Sequence, residues 1–228
     1  MEVKQRGIAI THHQHRRGKK VDDRYRQYLT DTLIDKDNLK LVRDEAMSFH
    51  KSHTVSECFD TALELYQSEH FQIQEVGVFL CGYIAAERAD ALSFLKNTVS
   101  IHPSWKVQEI LAMAFDSFCK MNGYEKSIPI MQEWITDDNA NTRRAVTEGL
   151  RIWTNRPYFK DYPQRAVEII ASLKDDHSEY VRKSVGNSLR DISKKHPDLI
   201  KAELLSWDIS SKRIMQVFKL AGKMVISR

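Results

Sequence analysis

The sequence predicts an all-α fold, an α-solenoid of HEAT-like helix-pair repeats, and three observations carry that expectation. Apolar residues recur at helical spacing from about residue 22 onward, interrupted only by short polar breaks. Gly (8) and Pro (5) are scarce in the 228 residues, which disfavours a turn-rich β fold. A two-helix unit recurs along the chain with a period in the range that repeat arrays use.

Taken in order, residues 1–20 stand apart. Ile8-Ala-Ile10 is followed by Thr-His-His-Gln-His-Arg-Arg-Gly-Lys-Lys, with no helical period. This segment reads as a flexible basic arm, or in a sharper reading as an arm that touches phosphates. His12, His13 and His15 have no second cluster to complete a metal site, so no metal is expected. Residues 21–228 form the repeat domain, with helices expected near 22–34, 37–52, 55–68, 71–87, 89–100, 105–122, 125–136, 140–154, 161–174, 179–195, 198–206 and 211–225. Val107, Ile110, Leu111, Ala114 and Phe118 illustrate the spacing of one buried helical face.

The repeat itself is visible in the residues. Ile130-Met-Gln-Glu-Trp-Ile-Thr-Asp-Asp and Thr142-Arg-Arg-Ala-Val146 return as Ile169-Ile-Ala-Ser-Leu-Lys-Asp-Asp and Val181-Arg-Lys-Ser-Val185, 39 positions later at Ile169 and Val181 and 38 later at the Asp-Asp pair. Fainter copies, Ile73-Gln-Glu-Val76 and Val107-Gln-Glu-Ile110, lie 34 apart. Equivalent positions of stacked repeats line one face, so Glu109, Arg144 and Lys183 are expected in one row.

That row has two readings. It is a solvated, salt-bridged surface, or a groove for a polyanion to which Arg143, Arg144, Arg151, Arg182, Lys183 and Arg190 contribute. Net charge is +4, with 35 Lys and Arg against 31 Asp and Glu, which permits a polyanionic partner without requiring one. Ser210-Ser-Lys-Arg213 opens a helix and reads either as a plain N-cap or as a phosphate site. Cys58, Cys81 and Cys119 sit singly in apolar patterns and read as buried free thiols. No signal-type or membrane-spanning run is expected to act here, so the chain reads as soluble and cytoplasmic; it is further expected to be a monomer and to need no cofactor.

The stretches Arg143-Arg-Ala-Val-Thr-Glu-Gly149 and Tyr180-Val-Arg-Lys-Ser-Val-Gly-Asn-Ser-Leu-Arg-Asp-Ile-Ser-Lys-Lys-His-Pro-Asp198 resemble the AlkC branch of the DNA alkylation repair glycosylases. Ser211-Lys-Arg213 is similar to a motif of the AlkD branch. The resemblance is strongest over residues 100–200. The immunoglobulin-like C-terminal domain of many AlkC proteins has no counterpart here. The resemblance implies excision of cationic alkylpurines from double-stranded DNA, within base-excision repair at the nucleoid. It implies Glu109 and Asp191 as catalytic carboxylates and Arg144 as the groove arginine. Trp153 is then the nearest candidate for the aromatic of the site, although the helical wheel also allows it a core position. DNA contacts are expected from Arg143, Arg144, Arg151, Lys183, Asn187, Arg190, Ser211, Lys212 and Arg213. The chain departs from the family at Gly186, Asn187, Arg190 and the rewritten 150–157 stretch. Those departures keep two alternatives open, a non-catalytic binder of branched or distorted DNA and a protein-interaction scaffold.

Overall fold

A computed structural model describes residues 23–36 and 38–226. The expected arm at 1–20 lies outside the described residues. Among them are thirteen α-helices and no strand. First helices of the pairs are α1 (Asp23–Leu33), α3 (Val55–Tyr66), α5 (Ala89–Asn97), α7 (Ile128–Ile135), α10 (Pro163–Ala171) and α12 (Pro197–Leu205). Second helices are α2 (Leu39–Ser52), α4 (Phe71–Ile84), α6 (Trp105–Asn122), α8 (Ala140–Gly149), α11 (Glu179–Ser193) and α13 (Lys212–Ala221). A short α9 (Pro157–Asp161) interrupts the alternation.

Local chemistry sets these boundaries. Thr54 and Glu57 close a capping box on α3, and Asn38 caps α2. Proline stands in the first turn of α7, α9, α10 and α12, where its missing N–H has no intrahelical acceptor to lose. Gly123, at φ +92°, ends α6. The helix expected over 140–154 stops at Gly149, and Trp153 falls in a 3-10 turn, Trp153–Asn155.

The second helices form a continuous layer, each packed on the next from α2 through α4, α6, α8 and α11 to α13. Approach is closest where side chains are smallest. A Cβ on Gly149 would overlap the Ala112 carbonyl, and one on Gly82 would lie 2.6 Å from the Ala114 Cα. The core runs unbroken between the two layers, with Leu80, Leu111, Val146, Val185 and Val217 fully buried.

A hydrogen-bond ladder confirms the repeat register. Gln74, Gln108, Arg143 and Arg182 each donate to the backbone carbonyl six residues back, at 2.7, 2.7, 2.7 and 2.6 Å. Each bond secures the turn that precedes a second helix. Arg143 and Arg182 also reach the next carbonyl, of Asp138 and His177, at 3.0 Å each. The residue after each rung is Glu75, Glu109, Arg144 or Lys183, so the row expected from the sequence exists and extends one repeat further back.

Candidate functional site

Glu109 sits on α6 one turn beyond Trp105, so both side chains point to the same side of the helix. Trp105 is 64% exposed, unusual for so large a ring. The two line a small hollow with Leu39, Val42, Glu75 and Lys106. From the next repeat, the Arg144 guanidinium donates to Glu109 Oε2 at 2.8 Å. Tyr180, on α11, lies over that guanidinium with its ring centroid 4.2 Å away, a cation–π contact that helps to hold the arginine in place. The result is a carboxylate steadied through one oxygen, with an exposed indole one turn away and a half-exposed phenol on its arginine partner.

Beyond Glu109, a groove of 380 Å³ crosses the second-helix layer, and Asp116, Glu148, Arg151 and Arg156 line it. Arg151 binds Glu148 at 2.6 Å and Asp191 at 2.8 Å, and Lys194 takes the other Asp191 oxygen at 2.8 Å. Ser184 donates to Glu148 and accepts from Thr147, extending the network into the core. Burial pulls the Asp191 carboxyl upward, but hydrogen bonds from Lys194 and Arg151 outweigh it and hold it below the usual range. Asp116 goes the other way. Burial raises its carboxyl above the usual range against the opposing pull of Arg156 and the Tyr124 hydroxyl.

Several expected site residues are placed elsewhere. Trp153 is fully buried, donates its indole N–H to the Thr147 carbonyl at 3.1 Å and meets Phe159 edge-on. It is a core residue and presents no face to a ligand. Asp191 is 7% exposed, with both oxygens engaged, so it is a structural acceptor and not an open carboxylate. Arg143 is 4% exposed. It grips Asp176 with two bonds of 2.6 and 2.8 Å, which clamps two repeats together and leaves nothing for a phosphate. At the start of α13, Asp175 accepts from Ser211 at 3.0 Å and from Arg213 at 2.9 Å, in an ion pair that stays exposed to solvent.

The remaining expected contacts stay on the surface. Lys183 is exposed and paired with Glu179 at 2.8 Å. Asn187 and Arg190 are half-buried, and Lys212 is exposed. Arg151 lines the groove while bound to its two carboxylates. Trp105, Tyr180, Asp116 and Arg156 were not singled out from the sequence. Trp105 could have been found from its four-residue offset from Glu109. Tyr180 could not, because only the packing of successive repeats brings it to Arg144. Among the described residues no group of three or more His, Cys, Asp or Glu is placed to hold a metal ion, and no helix is long and apolar enough to cross a membrane.

Comparison with known proteins follows the same lines. Residues 38–205 match the family described as DNA alkylation repair enzyme. The crystal structure of AlkD2 from Streptococcus mutans superposes with a TM-score of 0.86 at 48% identity, covering 90% of this chain and 99% of that one. The Pseudomonas fluorescens alkylpurine DNA glycosylase AlkC, bound to DNA containing an abasic site analogue, superposes at 0.61 with 21% identity. It covers 86% of this chain and 55% of that one, a likeness of fold. The uncharacterized protein YhaZ of Bacillus subtilis is 39% identical over 87 residues, 36% of this chain, and the match spans 24% of its own length.

Proposed function

We propose, from the premise that this chain belongs to the DNA alkylation repair enzyme family, that it excises cationic alkylated purines from duplex DNA. The observation that carries this reading is Glu109, fixed through one oxygen by Arg144, which Tyr180 covers in turn, with exposed Trp105 one helical turn away. A purine alkylated at a ring nitrogen already bears the charge that makes it a leaving group. The C1′–N bond breaks, its electron pair neutralises the base, and positive charge appears on the sugar. The Glu109 carboxylate stabilises that charge and accepts the proton of the water that adds to C1′. The indole face of Trp105 attracts the cationic base. In this reading the protein acts as a monomer, in the cytoplasm where the nucleoid lies.

The experiment is release of free base from duplex carrying N-methylated purines, at protein concentrations that saturate binding. Release that disappears in E109Q while binding persists supports the reading. No release above buffer at saturation overturns excision.

One observation favours a second reading, in which the same face holds branched or distorted DNA without cutting it. Glu148 and Asp191 are closed into ion pairs with Arg151, and Trp153 is withdrawn into the core. The groove therefore offers Glu109 as its reacting group with little support around it. Salt-dependent binding without base release is the result that this reading expects.

A further inference from the structure

The row Glu75, Glu109, Arg144, Lys183 runs from helix to helix along the solenoid. A second track leaves it sideways. Trp105, Glu109, Met113, Asp116 and Lys120 fall on one face of α6 at helical spacing. The hollows beside them adjoin. Glu109 is common to the first and second, and Asp116 and Arg156 are common to the second and third. With 18 residues, α6 extends this track over about 27 Å.

The far end is chemically unlike the rest. A hollow of 670 Å³ lies between the turn at the end of α6 and the segment 155–158, within the range of about 300–1,000 Å³ that takes a ligand of nucleotide size. Lys120 and Lys126 are exposed on its rim. Tyr158 lines it, and the Tyr162 ring extends that aromatic surface at 5.0 Å between centroids. Asn122 and Asn155 add amides. At its inner border, Arg156 bonds Asp116 at 2.8 Å and leaves its Nε buried without an acceptor. Cations beside stackable rings are the elements of a single-strand site, where bases stack and lysines follow the backbone. A hollow of this size does not admit a duplex.

We infer that the track along α6 takes a single-stranded nucleic-acid segment that departs from a duplex at Glu109, with its bases received at Tyr158 and its phosphates at Lys120 and Lys126. The inference rests on the proposed function for the placement of the duplex on the second-helix layer with Glu109 beneath it, and it does not depend on excision.

Fluorescence anisotropy with the full-length protein tests it, using a blunt duplex, the same duplex with an oligothymidine tail, and polyglutamate as competitor. The tailed duplex is expected to bind about tenfold tighter than the blunt one, the weight of one base stacked on an aromatic ring. K120E/K126E, on exposed positions, and Y158A are each expected to abolish that preference; the charge reversals also weaken blunt-duplex binding through the long-range field, whereas Y158A leaves it unchanged. Equal affinity for the two duplexes overturns the inference. So does a preference that survives K120E/K126E, or displacement of the tail by polyglutamate as readily as by oligothymidine, which would mark an acidic-peptide site. Failure of base release with the tail preference intact defeats the excision reading alone, and absence of binding to every probe defeats both.

Discussion

Replacing Arg143 by alanine separates a structural arginine from a DNA-binding one. The side chain is buried, holds Asp176 with two short bonds, and donates to the carbonyls of Asp137 and Asp138. Its removal strands a buried carboxylate and leaves two backbone acceptors unfilled. Breaking a buried ion pair from one side costs about 3–5 kcal/mol. For a chain of this size that lowers Tm by roughly 6–20 °C. The pH dependence has a defined sign. Burial raises the Asp176 carboxyl, but Arg143 and the Ser178 amide outweigh it and hold it below the usual range. The stability it contributes is therefore present above the unfolded carboxylate pKa and lost as pH falls through the folded value. In R143A the burial effect is left without its main opponent, so the penalty is largest near neutral pH and shrinks in acid, where Asp176 protonates. R143A/D176N is expected to recover part of the loss. Urea denaturation at several pH values measures all of this. Stability unchanged in R143A, together with weakened DNA affinity, would refute the clamp and restore Arg143 to the interface.

Three further outcomes are expected. W153A lowers stability by about 3–5 kcal/mol through a core cavity, whereas W105A leaves the urea midpoint nearly unchanged and depresses base release; the opposite pattern would return the site aromatic to Trp153. G149A forces α8 away from Ala112 and costs about 1–3 kcal/mol in chemical denaturation; a neutral result would show that the helices separate freely there. Residues 23–226 carry 28 Lys and Arg against 29 Asp and Glu, while residues 1–22 carry six against two. Deleting residues 1–20 is therefore expected to flatten the salt dependence of DNA binding, by about 0.9 in slope for each phosphate that those residues neutralise; an unchanged slope would place the neutralising cations on the repeats.

The repeat was legible because register leaves a pattern in one dimension. Asp137 and Asp176 occupy the same place in their turns, and Arg143 and Arg182 the same rung of the ladder. Glu109 and Arg144 emerged from that register as neighbours, and they are bonded. What failed was the distinction between an arginine that faces outward and one that turns back onto its own turn. Arg143 and Arg144 are adjacent in sequence, and only packing shows that the first grips Asp176 while the second reaches Glu109. Trp153 was ambiguous because a helix continued through it puts the indole on the buried side, while the resemblance asks for an aromatic in the site; it is buried, although the helix does not continue. Once α8 stops at Gly149, the chain folds the indole beneath the Thr147 carbonyl. Asp175 at the start of α13 was invisible for a related reason. Nothing local indicates that a turn from one repeat supplies the anion for the next.

The role proposed for Glu109, bonded to Arg144 with Trp105 one turn away, is that of the reacting carboxylate on the second-helix layer. Single-turnover release of N-methylated purine by wild type and E109Q, compared at equal bound DNA, tests it most directly. If Glu109 has that role, E109Q loses about 100-fold or more in rate and retains duplex affinity. Equal release by the two proteins, or none by either at saturation, would contradict it.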